Sequence, residues 1–207
     1  VSEELASAWY SGSESFPAQE IYPKLFKKIS NKLGAKRRIY LGGSSGGFAA
    51  LYYSWLDRGS VAIVGNPQTN LNNYRLNREG ESRALDNYRS LAWPDVPNNK
   101  HLGQIINLDV GSCYAKSFDN TVIYLQSAGD RTHMAGQMTD FLSKVGNNLA
   151  RFVLDVGFHG VLGHSNSVPY PAYRPWVQTV LASPTLEADD LLMTHYILNQ
   201  NNPAQNI

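Results

Sequence analysis

The sequence predicts an α/β chain: a mostly parallel sheet with flanking helices. A short, nearly continuous apolar run stands at 60–65, and 121–126 and 151–156 are two more strand segments. Such runs mark strands buried on both faces of a parallel sheet. Helix-patterned segments separate them, and strand–helix–strand alternation calls for crossover connections. The composition agrees: 207 residues, 43% hydrophobic and 17% charged, make one ordinary domain with a packed core.

Taken in order, residues 1–19 read as a short helix or irregular arm followed by a loop. From Glu20 to Leu33, the residues Ile21, Leu25, Phe26, Ile29 and Leu33 recur at helical spacing, and Gly34 is a C-cap candidate. Arg37–Leu41 is the next strand, entered through the basic cluster Lys36-Arg37-Arg38, which reads as a solvated end. A helix follows over Phe48–Leu56, then the strand Ser60–Gly65 and the turn Asn66-Pro67-Gln68-Thr69. Residues 70–120 are rich in Asn, Arg and Ser, and Leu85, Tyr88, Leu91 and Trp93 pack there as a helix. A structureless loop of that length is unusual. The segment reads as a helical insertion, either a lid or extra packing helices at the sheet edge. Thr121–Gln126 and Arg151–Val156 are the last two strands. A helix at about 134–146 separates them, with Met134, Met138, Phe141, Leu142 and Val145 on one face. A helix at about 171–182 closes the pattern, and Asn199–Ile207 read as a polar tail.

The chemistry concentrates at 39–51. An apolar strand enters Gly42-Gly43-Ser44-Ser45-Gly46-Gly47, and Phe48-Ala49-Ala50-Leu51 leaves it as a helix. That context turns a G-x-S-x-G match into a nucleophile elbow, a turn so sharp that the flanking residues must be nearly side-chain-free. Two registers fit, one raising Ser44 and one raising Ser45. The flanks favour Ser44: Gly42 stands two before it, Gly46 and Gly47 two and three after, and the small Ala50 six after. The Ser45 amide is then an oxyanion-hole donor.

A serine hydroxyl needs a base, and the base needs an orienting acid. Asp130 follows the strand 121–126 in the turn Ser127-Ala128-Gly129-Asp130. An aspartate there is also an ordinary helix cap. Asp119 lies before that strand, at the wrong end of the sheet, and Asp140 lies within a helix. Two histidines follow the next strand, His159 in Gly157-Phe158-His159-Gly160 and His164 in Gly163-His164-Ser165. His164 is the preferred base and His159 the alternative. His133 either lines the site or sits on the surface of the first helical turn. His101 and His195 fall outside the constellation.

These residues resemble the serine hydrolases of the α/β-hydrolase superfamily over about 20–182. The resemblance implies a Ser–Asp–His order and acyl transfer from an ester through an acyl-enzyme, as an esterase or acyltransferase. A fainter likeness is to hydrolase-like proteins of bacterial surface-glycan biosynthesis and accessory secretion. It rests on the elbow with Phe48-Ala49-Ala50-Leu51, the Asn66-Pro67-Gln68-Thr69 turn and the Gly163-His164 loop. The implied substrate is a small-molecule or glycan ester, and no cofactor is implied. One departure stands out. The superfamily places several strands before its elbow, and one of their loops supplies the second oxyanion donor. About 38 residues precede this elbow strand and hold no good strand. Either the sequence belongs to a longer protein or meets a partner chain, or it is a reduced version with an incomplete oxyanion hole.

Other functions are excluded or left without support. A net charge of +1 gives no case for nucleic acid or an anionic membrane surface. No apolar run is long enough to span a membrane. The lone Cys113 permits no intramolecular disulfide and reads as a small buried hydrophobe. No metal motif, Walker loop or dinucleotide fingerprint is present. The rival to an enzyme is a non-catalytic hydrolase-like module that binds a glycan or a partner protein.

Overall fold

The computed structural model describes residues 8–76, 78–159, 162–164 and 168–200. Its centre is a four-stranded sheet of β1 (Ile39–Gly43), β2 (Val61–Gly65), β3 (Thr121–Ser127) and β4 (Phe152–Gly157), in that spatial order. All pairings are parallel, with Ile39 opposite Val61, Val61 opposite Thr121 and Val122 opposite Phe152. The apolar runs of the sequence form the interior strands: all of β2 and β3 is buried. The edge strands are half-exposed, and among the described residues β1 pairs only with β2.

The helices are α1 (Ala18–Leu33), α2 (Ser45–Leu56), α3 (Arg83–Ala92), α4 (Asn99–Ile105) and α5 (Val110–Tyr114). After β3, the short α6 (Arg131–His133) runs through a π turn (Met134–Met138) into α7 (Thr139–Val145), and α8 (Tyr170–Ala182) and α9 (Ala188–Gln200) follow β4. Strand residues alternate between two cores. Ala62, Val64, Val122 and Tyr124 face Phe48 and Leu51 of α2, Leu85 of α3, Leu102 of α4, Tyr114 of α5 and Phe141 of α7. Val61, Ile63, Ile123 and Leu125 face Tyr173, Trp176 and Val180 of α8 and Leu191 of α9. The crossover helices thus lie on one face and the last two on the other, as sequential strand order with one crossover hand requires.

Three elements differ from the sequence reading. The segment 70–120 is helical, but its Leu85, Tyr88, Trp93 and Leu102 are buried in the core over the sheet, while Leu91 is exposed. On α1, Leu25, Ile29 and Leu33 are exposed, and the helix meets the molecule through Ala18, Gln19 and the rings of Tyr22 and Phe26. Finally, α9 was not anticipated, and it takes in Asn199 and Gln200 of the expected polar tail. Its sequence is apolar on most sides, so no single stripe announces a helix. Residues 201–207 of that tail lie outside the described residues, as do 1–7 of the expected arm. The basic cluster is bonded rather than merely solvated: Arg38 pairs with Asp57 at 2.7 Å and Arg37 donates to the Ser183 carbonyl at 2.8 Å. No helix among the described residues is long and apolar enough to cross a membrane.

Candidate active site

Parallel strands deliver their carboxyl ends to one rim of the sheet, and the loops there gather side chains distant in sequence. Ser44 sits between β1 and α2 with φ +53° and ψ −119°. A non-glycine residue in that region carries about 1–3 kcal/mol of strain and persists only where its surroundings hold it. Here the Ser44 amide donates to Gly65 O at 3.1 Å, and its carbonyl accepts from Gly47 N at 3.0 Å and Gln68 N at 3.1 Å. The bend leaves no room for side chains on the inside. A Cβ on Gly42 would stand 2.2 Å from Gly46 O, and one on Gly47 2.6 Å from the Pro67 Cβ. Gly42→Ala is therefore expected to destabilise the fold by about 1–3 kcal/mol, the usual cost of overpacking. A urea-unfolding midpoint equal to that of the parent would contradict this.

The structure brings Ser44, His164 and Asp130 into a line of contacts. Ser44 Oγ lies 2.8 Å from His164 Nε2, and His164 Nδ1 lies 2.5 Å from Asp130 Oδ2. An ionised carboxylate only accepts, so Nδ1 carries the proton between His164 and Asp130 and Nε2 is left free to accept from Ser44 Oγ. The two carboxylate oxygens of Asp130 have separate partners. Its Oδ1 accepts from the His133 backbone amide at 3.1 Å, starting α6, while Oδ2 faces His164. Asp130 is fully buried. Burial alone raises its pKa, but the His164 hydrogen bond, the His133 amide and the two neighbouring imidazoles outweigh it and hold the pKa below the usual aspartate value.

His159 takes no part in this line. It follows β4 directly, and its Nε2 is buried without a hydrogen-bond partner among the described residues. The two histidines beyond the constellation are accounted for elsewhere. His101 hydrogen-bonds Asn98 at 2.8 Å, and His195 stacks on Trp176 with centroids 3.7 Å apart. Asp119 pairs with Arg58 at 2.8 Å and Asp140 with Lys144 at 2.6 Å. Cys113 is buried, and its thiol is pushed up to about 11 by burial.

His133 is buried, not a surface residue. It stacks on His164 with centroids 3.6 Å apart, and its Nδ1 lies 3.2 Å from Asp130 Oδ1. Burial first, then the neighbouring His164, depresses its pKa from 6.5 to about 4. The consequence for stability has a definite sign. As pH falls, the unfolded chain takes up this proton at 6.5, whereas the folded one resists until about 4. Stability from neutral His133 is complete above pH 6.5 and is lost between 6.5 and 4, by about 3 kcal/mol in all. His133→Phe is expected to flatten the decline in Tm across that window. Parallel Tm curves for the two proteins would refute the assignment.

Asp130, His133 and His164 also form the one group of candidate metal ligands among the described residues, their ligand atoms lying within 4.8 Å of one another. Two ligands of one tetrahedral zinc stand about 3.4 Å apart, given bonds near 2.1 Å. The 2.5 Å between His164 Nδ1 and Asp130 Oδ2 is instead a hydrogen-bond separation.

Two glutamines were not singled out from the sequence. Gln137 lies inside the π turn; its Oε1 accepts from the Thr69 and Asn70 amides at 2.7 and 2.9 Å. It clamps the 66–70 turn from behind. In that turn Gln68, buried, donates from Nε2 to Ser44 Oγ at 3.0 Å. The buried row of this helix is His133, Gln137, Phe141 and Val145; of the expected face Phe141 and Val145 are buried and Met138 and Leu142 pack half-buried against the core, while His133 and Gln137 were not expected there. A π turn widens the helical repeat, which lets a strict four-residue row stay on one side. The sequence signal was the Asn-Pro-Gln-Thr turn, read there as a turn and part of a family likeness rather than as chemistry.

Beside the elbow runs a groove of about 890 Å³ between the 8–18 arm, α1 and the β1 edge. Aromatic rings, including Trp9, Tyr22, Phe26 and Tyr40, line it, and Gly43, Ser45 and Gly46 form its floor next to Ser44. Among the described residues no charged side chain lines it.

No protein-family model matches this sequence, and comparison with curated proteins finds no match. Among solved structures, the capsule O-acetyltransferase of Neisseria meningitidis serogroup A superposes with a TM-score of 0.54 at 17% identity, over 83% of this chain and 68% of its own. Carboxyl esterase 2 (TmelEST2) from the mycorrhizal fungus Tuber melanosporum gives a TM-score of 0.46 at 17% identity, over 84% of this chain and 58% of its own. The chain thus shares with the first of these its fold, a parallel α/β sheet flanked by helices.

Proposed function

We propose that this chain is a serine-dependent, ester-acting enzyme of α/β-hydrolase type, an esterase or acyltransferase. The observation that carries this is the unbroken line Ser44 Oγ–His164–Asp130, at 2.8 and 2.5 Å, with its serine on a strained strand-to-helix turn. Held strain of this kind clusters at active sites. The fold shared with an O-acetyltransferase agrees with the reading.

In this mechanism Ser44 Oγ attacks the ester carbonyl carbon as its proton passes to His164 Nε2. Asp130 holds the Nδ1–H tautomer and stabilises the imidazolium. The carbonyl oxygen takes the negative charge and meets the Ser45 amide, one of the first N–H groups of α2 and without an intrahelical acceptor. Collapse breaks the bond to the leaving oxygen, which receives the proton from His164. Water, or the hydroxyl of an acceptor, then enters as its proton passes to His164, and Ser44 is released with the proton returned. The ring-lined groove suits an acyl group or a sugar face. We read residues 70–120 as packing helices of the same single domain, not as a lid.

An active-site-directed fluorophosphonate tests this. Mass spectrometry is expected to find one phosphonylated peptide, containing Ser44. Absence of labelling in folded protein, together with binding of a glycan by that protein, would replace the enzyme by a binding module.

A further inference from the structure

The mechanism above accounts for one oxyanion donor and needs a second. In the hydrolase pattern that donor comes from a loop after an upstream strand, yet the described residues ahead of β1 contribute no strand to the sheet. We infer that the side-chain amide of Gln68 is the second oxyanion donor, aimed at the reacting centre by the indole of Trp9. The inference rests on the serine-nucleophile reading.

Four observations carry it. Gln68 Nε2 is already 3.0 Å from Ser44 Oγ in a buried setting, so no rearrangement is needed to bring a donor to the site. The orientation of the amide is decided by chemistry: Trp9 Nε1 can only donate, and it donates to Gln68 Oε1, so the NH₂ must face Ser44. Trp9 is itself fixed, 1% exposed and edge-on to Tyr88 at 5.5 Å. The Gln68 backbone is tied to the elbow through its amide bond to Ser44 O at 3.1 Å, and Gln137 clamps the two residues that follow. Donor and nucleophile therefore move as one body.

The NH₂ group has two hydrogens. In the resting site one bonds Ser44 Oγ, which donates its own proton to His164 Nε2. When Oγ bonds carbon it becomes an ester-like, poor acceptor. The new oxyanion is two bonds from Oγ, on the same carbon, and the amide can turn its donation there without leaving its place. Such a donor is strongest in the transition state, which is where binding raises kcat rather than lowering KM. Trp9 is a positioning residue: it touches no reacting atom and acts by denying Gln68 its flipped orientation.

The test uses the chain with p-nitrophenyl acetate and an aryl trifluoromethyl ketone that forms a tetrahedral adduct with serine. Gln68→Met and the near-isosteric Gln68→Glu both remove or oppose the donor. Each is expected to lower kcat by about 100–1,000-fold with KM nearly unchanged, and to weaken the ketone in parallel. Trp9→Phe keeps the ring and loses the N–H; it is expected to lower kcat by about 10-fold, again at constant KM. A folded Gln68→Met or Gln68→Glu variant that keeps kcat and ketone affinity within about threefold of the parent would overturn the inference while leaving the serine nucleophile intact. Parent protein that neither turns over ester nor reacts with fluorophosphonate would overturn the serine-nucleophile reading itself, and this inference with it.

Discussion

Ser44→Ala and His164→Ala are each expected to lower kcat by about 10⁶-fold, and the double variant to lose no more than either alone. In the proposed mechanism Ser44 and His164 act as a unit. Without the Oγ there is nothing for His164 Nε2, 2.8 Å away, to deprotonate, and without the imidazole the serine remains a neutral alcohol. The residual rate would come from the oxyanion donors and binding alone, about 10³–10⁴ over water. Steady-state kinetics on an activated ester measure all three variants. Losses that multiply in the double variant would mean the two side chains act separately, contrary to the hydrogen bond between them. His159→Ala serves as the comparison. It makes no bond to Ser44 or Asp130 among the described residues, and its expected effect is small.

Asp130→Asn is expected to lower kcat by about 10⁴-fold at neutral pH while the fold is retained. Asparagine is as good a helix cap as aspartate, so the bond to the His133 amide that starts α6 survives. What changes is the partner of His164 Nδ1. An amide nitrogen at the Oδ2 position would donate to Nδ1 and place the imidazole proton on Nε2. A protonated Nε2 cannot accept from Ser44 Oγ. The variant thus separates the electronic role of Asp130 from its role as a cap. A Tm close to that of the parent together with a 10⁴-fold loss supports the electronic role. A loss below about tenfold would remove Asp130 from the mechanism.

The pH dependence has two sources here that should not be confused. Between pH 6.5 and 4 the fold loses the contribution of neutral His133. Asp130, held below the usual aspartate range, stays ionised through that interval and adds its own loss only at lower pH. Activity and stability should therefore be measured at each pH on the same samples, so that loss of the fold is not mistaken for loss of catalysis.

Much of the fold was legible because its determinants are local. Buried strands need unbroken apolar runs, and β2 and β3 are wholly buried where those runs stand. A tight turn needs glycines, and Gly42 and Gly47 are where a Cβ would collide. Order along the chain then put Asp130 and two histidines beyond the right strands. The α9 helix was not legible, because a helix with apolar residues on most sides carries no stripe. Nor was the exposure of Leu25, Ile29 and Leu33 on α1, since periodicity locates an apolar face without saying what covers it.

By itself, then, the sequence determined the parallel α/β architecture and the sharp, glycine-flanked turn at Ser44, because each follows from backbone sterics and hydrophobic period within a few residues. Tertiary structure alone decided which side chains meet there. It brought His164 rather than His159 to Ser44, buried His133 against them, and turned Gln68 toward the serine through an indole 59 positions away in sequence. Those outcomes depend on where loops from different strands arrive at one rim, a long-range matter that no local pattern encodes.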